Sequence, residues 1–215
     1  MKRVFNFIRK IQGKLNYYLI KWRLFGFGEK WNKVNLCGGG ASVVGFCNVD
    51  LYPTADVNID LEKKLLPFND SSIDTLVCIS AINYFKRDRG AKIIKDAYRV
   101  LKSGGVARFA TQDLMLLAKK YVEKDKEFFF QKLSDGKDRF PGKTMADKMN
   151  SWFYGHKTTA GKPCRYVYDF ETLASIFKEV GFSEVENKKY MESSIPEVKE
   201  MDNRPDQMFF LEAIK

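Results

Sequence analysis

Apolar residues recur along this chain in two rhythms. In the first two dozen residues Phe5, Ile8, Ile11, Leu15, Tyr18, Leu19 and Trp22 return every three or four positions, the spacing of one helical face. The helix is expected to end near Leu24, because Gly26 and Gly28 favour a loop and Gly13 already weakens it. Beyond that arm the rhythm changes to short unbroken runs. Val34 to Leu36, Cys47 to Leu51, Ala55 to Ile59, Thr75 to Ser80 and Val106 to Ala110 each read as a buried strand. Ile93, Ile94, Ala97, Val100 and Leu101 predict a helix from Gly90 to Lys102, closed by Ser103, Gly104 and Gly105. Glu171 to Val180 is a further helix capped by Gly181, and Glu184 to Tyr190 and Met208 to Ile214 are two last strands that a hairpin would join. Apolar strands alternating with helices predict an α/β fold whose parallel sheet is covered on both faces.

Charge divides the chain unevenly. Residues 1 to 33 hold nine Lys or Arg against one acid, Glu29, whereas the remainder holds 28 bases and 26 acids. Most of the net charge of +10 therefore sits at the N-terminus: residues 1–32 form a basic amphipathic arm, and residues 33–215 a nearly neutral domain. That weakens a nucleic-acid reading of the whole surface. For the arm three readings stand: an apolar stripe packed on the domain or a second subunit, a surface helix on anionic lipid through residues 1–25, and a polyanion grip. The four cysteines show no paired spacing, and with a single histidine they offer no zinc framework, so a reducing cytoplasmic setting is expected. No apolar run approaches the roughly 20 residues of a membrane-spanning helix.

The chemistry concentrates in "VNLCGGGASVVGFCNVDLYPTADVNIDL", residues 34 to 61. In an open α/β sheet a ligand lies beyond the carboxyl ends of the strands. Glycines directly after the first strand let backbone approach it without a Cβ clash. Asp50, ending the second strand, suits both hydroxyls of a ribose, and Asp60, ending the third, suits an exocyclic amine such as that of adenine. A nucleoside is the expected ligand. A dinucleotide is disfavoured, since G-x-G-x-x-G read from Gly38 meets Val43 where glycine is required, and no lysine follows the glycines as in a triphosphate-binding loop.

From Lys33 to Leu114 the chain resembles class I S-adenosylmethionine-dependent methyltransferases, in particular a bacterial group with a shortened link between the first two strands. The segments that carry the resemblance are "VNLCGGGASVVGFCNVDL", "ADVNIDLEKKLLPFNDSSIDTLVCIS" and "YRVLKSGGVARFATQDL", continued by "FYGHK", "YDFETL" and "DNRPDQ". The resemblance implies a Rossmann-like, doubly wound, seven-stranded, mostly parallel sheet with an antiparallel last strand. It places Gly38, Gly39 and Gly40 under the methionine part of the cofactor, Asp50 on the ribose, Asp60 and Leu61 at the adenine, and Ser80 near the donor. The chain departs from the pattern at Cys37, which stands where the loop's first glycine is expected. It departs again at "ISAINYF" (Ile79 to Phe85), where Ser80, Asn83 and Tyr84 replace other polar groups.

Methyl transfer from a sulfonium asks for alignment above all, and for a base only when the acceptor carries a proton to be lost. Residues 115–168 are placed as an acceptor-side lid. His156 in "WFYGHK" is the first candidate base, because its ordinary pKa allows proton acceptance at neutral pH; Asp113 is the second, with a helix N-cap as its alternative. Trp152, Phe153 and Tyr154 suit either an acceptor wall or core packing, and Arg204 is expected to tie the C-terminal loop to a carboxylate. The acceptor expected is a small molecule or, by resemblance alone, a glycan-related one. A nucleic-acid methyltransferase gripping through the arm, and a catalytically degenerate nucleoside-binding protein docked on membrane or partner, are the alternatives.

Overall fold

The apolar runs assemble into one sheet. A computed structural model describes residues 2–26, 30–40, 42–155, 157–158 and 161–215. Its strands are β1 (Lys33–Leu36), β2 (Cys47–Asp50), β3 (Val57–Asn58), β4 (Ile73–Ile79), β5 (Leu101–Gln112), β6 (Ser183–Lys188) and β7 (Met208–Ile214), in the order β3-β2-β1-β4-β5-β7-β6. β1 to β5 pair in parallel, and β7 runs antiparallel to both β5 and β6. The fold is thus the expected Rossmann-like seven-stranded sheet. Strand order reverses between β1 and β4, and such a reversal opens a crevice at the strands' carboxyl ends.

Both faces of the sheet are covered, which is why the central strands read as unbroken apolar runs. On one face Val34, Leu36, Val49 and Leu76 pack with Ile94 and Ala97 of α2 (Arg87–Val100) and Phe177 of α6 (Phe170–Val180). On the other, Val43, Phe46 and Val77 meet Ile195, Val198 and Met201, the last two from α7 (Val198–Met201). α6 ends where its sequence predicts, at Gly181 with φ 114°, and at its start the Asp169 side chain accepts from Thr172 N. Between α2 and α6 lie α3 (Leu114–Val122), α4 (Lys126–Phe129) and α5 (Met145–Tyr154), which share a cluster of Leu117, Phe128, Phe129, Phe140 and Trp152. Trp152 is core rather than acceptor wall, with its Nε1 donating to Gln207 Oε1 at 3.1 Å.

Several expectations are corrected. α2 stops at Val100, and Ser103, Gly104 and Gly105 do not cap it; they form an irregularity inside β5, where Gly104 has φ 75° and donates its N–H to Lys215 O at 2.8 Å. Glycine there serves a strand distortion instead of a helix end. β3 shrinks to Val57–Asn58, an edge. Against that edge lies α1 (Lys2–Lys21), and its apolar stripe is not the face that packs: Gly13, Asn16, Tyr17 and Ile20 turn inward. A Cβ on Gly13 would come within 2.8 Å of Ala55 O and 2.9 Å of Asn58 Cβ, so only the glycine face can approach so closely. Asn16 Nδ2 then donates to Asp56 O at 2.7 Å.

The role expected of Arg204 falls instead to Arg108. Arg204 is exposed, while Arg108, in the middle of β5, is 0% exposed. Its Nη2 and Nε lie 2.5 and 3.0 Å from the two oxygens of Asp202, Nη1 lies 3.2 Å from Glu212 Oε2, and Nη1 also donates to Glu192 O at 2.9 Å. One guanidinium thereby joins β5, β7 and the loop that carries α7. Removing a partner from a buried ion network strands the remaining charges. Arg108→Met is expected to lower stability by about 3–5 kcal/mol, whereas Arg204→Ala should change it by less than about 0.5 kcal/mol. Urea unfolding midpoints of the two variants check the contrast.

Candidate active site

The turn after β1 packs closely at Gly38 and Gly40 and is open at Gly39. Cys37 N donates to Val49 O at 2.8 Å, which carries the β1–β2 ladder into the turn. Cys37 and Gly39 both adopt left-handed backbone, at φ 59° and 63°. Gly38 is packed tightly, since a Cβ there would lie 2.3 Å from Asn35 Nδ2, and Gly40 lies against the ring of Tyr52. A Cβ on Gly39 would meet nothing within 4 Å; this is the glycine that faces open space. Asp50 locks the turn to the end of β2: its Oδ2 accepts from Gly39 N at 2.8 Å and its Oδ1 from Tyr52 N at 2.6 Å.

Beyond these strand ends lies a cavity of about 450 Å³. Cys37, Gly39, Asp50, Asp60, Leu61 and Ser80 all line it, so residues nominated from four separate strand ends share one hollow. Gly38 and Gly40 are outside its lining and serve the turn that shapes it. Ser80 has φ 60°, and its Oγ donates to Asn203 Oδ1 at 3.2 Å. Left-handed backbone costs a non-glycine residue roughly 1–2 kcal/mol, and the cavity carries that cost twice, at Cys37 and Ser80. Strained backbone gathers where a site must hold a fixed shape.

Further residues complete the lining. Tyr84 and Phe85 enter through the 3₁₀ turn Ile82–Tyr84, and Lys10 arrives from α1. Thr158 and Lys162 come from a turn whose arms bridge at Lys157 and Pro163. Lys162 Nζ is 3.3 Å from Asp60 Oδ1 and Arg165 Nη1 is 2.9 Å from Glu62 Oε1, so this segment is fastened over the Asp60 end of the cavity. Arg89 holds the floor of that end by donating to Leu61 O and Lys64 O. His156 lies outside the described residues. Asp113 does not line the cavity; its carboxylate accepts from Met115 N at 2.9 Å and caps α3, and burial raises its pKa.

Burial pushes the Cys37 thiol well above its ordinary value, with Cys78 and Asp50 adding like-charge repulsion against the smaller pull of Lys162. Burial likewise carries Cys78 to about 12 and raises Tyr84. Cys37 and Tyr84 therefore line the cavity as a neutral thiol and a neutral phenol, beside the carboxyl side chains of Asp50 and Asp60. Because the thiolate is the nucleophile, iodoacetamide at about pH 8.5 should modify Cys37 at least about tenfold more slowly than free cysteine. Peptide mass spectrometry over a time course reads the rate, and prompt labelling would contradict the protonated state.

Residues 42–109 match the family described as methyltransferase domain. No curated protein matches the chain. Among solved structures the chain is similar to a SAM-dependent methyltransferase from Archaeoglobus fulgidus, at 12% identity and a TM-score of 0.51 over 93% of this chain and 94% of that one. It is also similar to an S-adenosylmethionine-dependent methyltransferase from Mesorhizobium loti (16% identity, TM-score 0.48, 92% and 96% covered). A third is a SAM-dependent methyltransferase from Thermotoga maritima described as a possible histamine N-methyltransferase (17%, 0.49, all of both chains). The Archaeoglobus likeness shows a shared fold, and the segment that matches the methyltransferase-domain family runs from the far side of the glycine turn into β5.

Proposed function

We propose that the cavity at the strand ends holds S-adenosylmethionine and that the protein methylates a small-molecule or glycan-related acceptor there. The observation that carries this reading is Asp50: a carboxylate held by two backbone N–H groups, facing a hollow whose floor is the open side of Gly39. Each carboxylate has about four acceptor positions, so two N–H bonds leave capacity for a ribose diol. The volume suits such a ligand, falling within the roughly 300–1,000 Å³ of small-molecule sites, and Ile59, Leu61 and Phe85 supply apolar wall for a flat base.

When bound, S-adenosylmethionine supplies a methyl group already activated on a sulfonium. The chain's own part is then alignment. Asp50 would hold the ribose, Asp60 and Leu61 the base, the Cys37 to Gly40 turn the methionine part, and Ser80 would lie toward the donor. The segment fastened by Lys162 keeps water from one end, and an acceptor would be held in line with the methyl. Tyr84, kept neutral by burial, is a hydrogen-bond donor and not a base. His156, two residues before cavity-lining Thr158, remains the group proposed to take a proton from a hydroxyl acceptor, while the cap bonds of Asp113 argue for a structural part. Four free cysteines fit a reducing cytoplasmic setting.

Calorimetry with S-adenosylmethionine and with S-adenosylhomocysteine tests the reading. Both should bind, and Asp50→Ala should weaken them about 10–100-fold, the worth of hydrogen bonds to a charged group; no binding of either at millimolar concentration overturns it. On an acceptor that supports turnover, His156→Gln should slow release of S-adenosylhomocysteine by about 10²–10⁴ without changing cofactor affinity. An unchanged rate would remove His156 from the reaction.

A further inference from the structure

The helix that shields β3 turns a second, unoccupied face outward. Gly13, Asn16, Tyr17 and Ile20 are the buried residues of α1, and nearly opposite them on the helix stand Val4, Ile8, Ile11, Leu15, Tyr18 and Trp22. These are large and exposed: Ile8 at 58%, Ile11 at 52%, Leu15 at 55%, Trp22 at 62%. A row of solvent-facing apolar side chains over five turns is not explained by the fold of the chain.

The charges beside the stripe indicate what covers it. Arg3, Lys10, Lys14 and Lys21 follow one another at seven, four and seven residues, a single row along one flank, and α1 contains no Asp or Glu. At the end of the helix the same flank opens onto a groove of about 670 Å³ that Lys21, Arg23 and Lys64 line, where Arg99 is already paired with Asp70 and Asp96. There Lys64 Nζ sits 4.4 and 5.0 Å from the ring centres of Tyr17 and Tyr18. An apolar strip bordered by cations, with Tyr and Trp at its edge, matches an anionic membrane surface: hydrocarbon boundary against the strip, headgroup phosphates against the row. An antiparallel pairing with a second copy of this chain fits less well, because it would bring two acid-free cationic rows to the same side. The helix lies in the plane of such a surface, since no described helix is long and apolar enough to cross a membrane.

We propose that α1 docks the protein on anionic lipid bilayers through Val4, Ile8, Ile11, Leu15, Tyr18 and Trp22, with Arg3, Lys14 and Lys21 among the headgroups. The docking is independent of the methyl-transfer reading, because none of these residues lines the cavity. Lys10 lines it, and it is left untouched in the test.

Flotation of the full chain with vesicles of phosphatidylcholine alone, and of phosphatidylcholine with about one third phosphatidylglycerol, reads the interaction. At least about tenfold stronger binding to the anionic vesicles is expected, weakened by added salt. Ile11→Glu with Leu15→Glu, and separately Lys14→Glu with Lys21→Glu, should each reduce it at least about tenfold. All four side chains point away from the core, so thermal midpoints should hold, and circular dichroism confirms that the helix persists. Equal binding to both vesicle types, or retention of full binding by Ile11→Glu/Leu15→Glu, overturns the proposal. So does absence of vesicle binding together with a concentration-dependent dimer that the same variant abolishes, which would assign the strip to self-association.

Discussion

Asp50 holds two backbone N–H groups at once, one from the glycine turn that follows β1 and one from the bend that follows β2. Neither segment has regular structure to fix it, and a loop with unpaired N–H groups beside an apolar hollow would be costly to bury. A single carboxylate settles both. It also sets the distance between the two segments, and with it the width of the cavity whose wall includes Cys37, Gly39 and Leu51. Doubly bonded and placed at the topological switch, Asp50 is at once the keystone of the loop geometry and an acceptor that lines the hollow.

Around that point the sheet accepts local strain in exchange for shape. Cys37 takes a left-handed backbone where glycine would cost less, and Ser80 does so at the end of β4. The chain tolerates this because both residues are flanked by strands whose neighbours are buried on two faces, with Val34, Leu36, Leu76 and Phe109 fully excluded from water. The buried guanidinium of Arg108 acts at longer range. It ties β5 to Asp202 and Glu212 and so holds in place the loop from which Asn203 reaches Ser80. The cavity wall is thus anchored from the glycine turn on one side and from the C-terminal loop on the other.

The basic arm has two faces with separate duties. Its narrow glycine-bearing face closes the exposed edge of β3, a two-residue strand that would otherwise present unpaired backbone. Docking by a small residue leaves the larger apolar side chains unburied by the domain, so shielding the edge and exposing a strip follow from one choice of face.

Much of this was legible in the residues themselves. Unbroken apolar runs identify central strands because a strand covered on both faces has no polar side to alternate with. The end of α6 was readable from Gly181, since caps are local chemistry, and Asp50 and Asp60 were readable as acids at the ends of successive apolar runs. Other features depended on neighbours distant in sequence. Lys162 reaches Asp60 across 102 residues, and Arg108 meets Asp202 across 94. Hydrophobic periodicity located α1, but its apolar stripe is not the face that meets the domain, because periodicity measures apolarity and the packed face was decided by how near the backbone could come to β3. For the same reason Ser103 to Gly105 resembled a helix stop and became a strand irregularity. Local sequence determined which segments would be helix, strand or strand-end acid; only the tertiary structure decided which surfaces meet, since that depends on close approach and charge pairing between residues no local pattern connects.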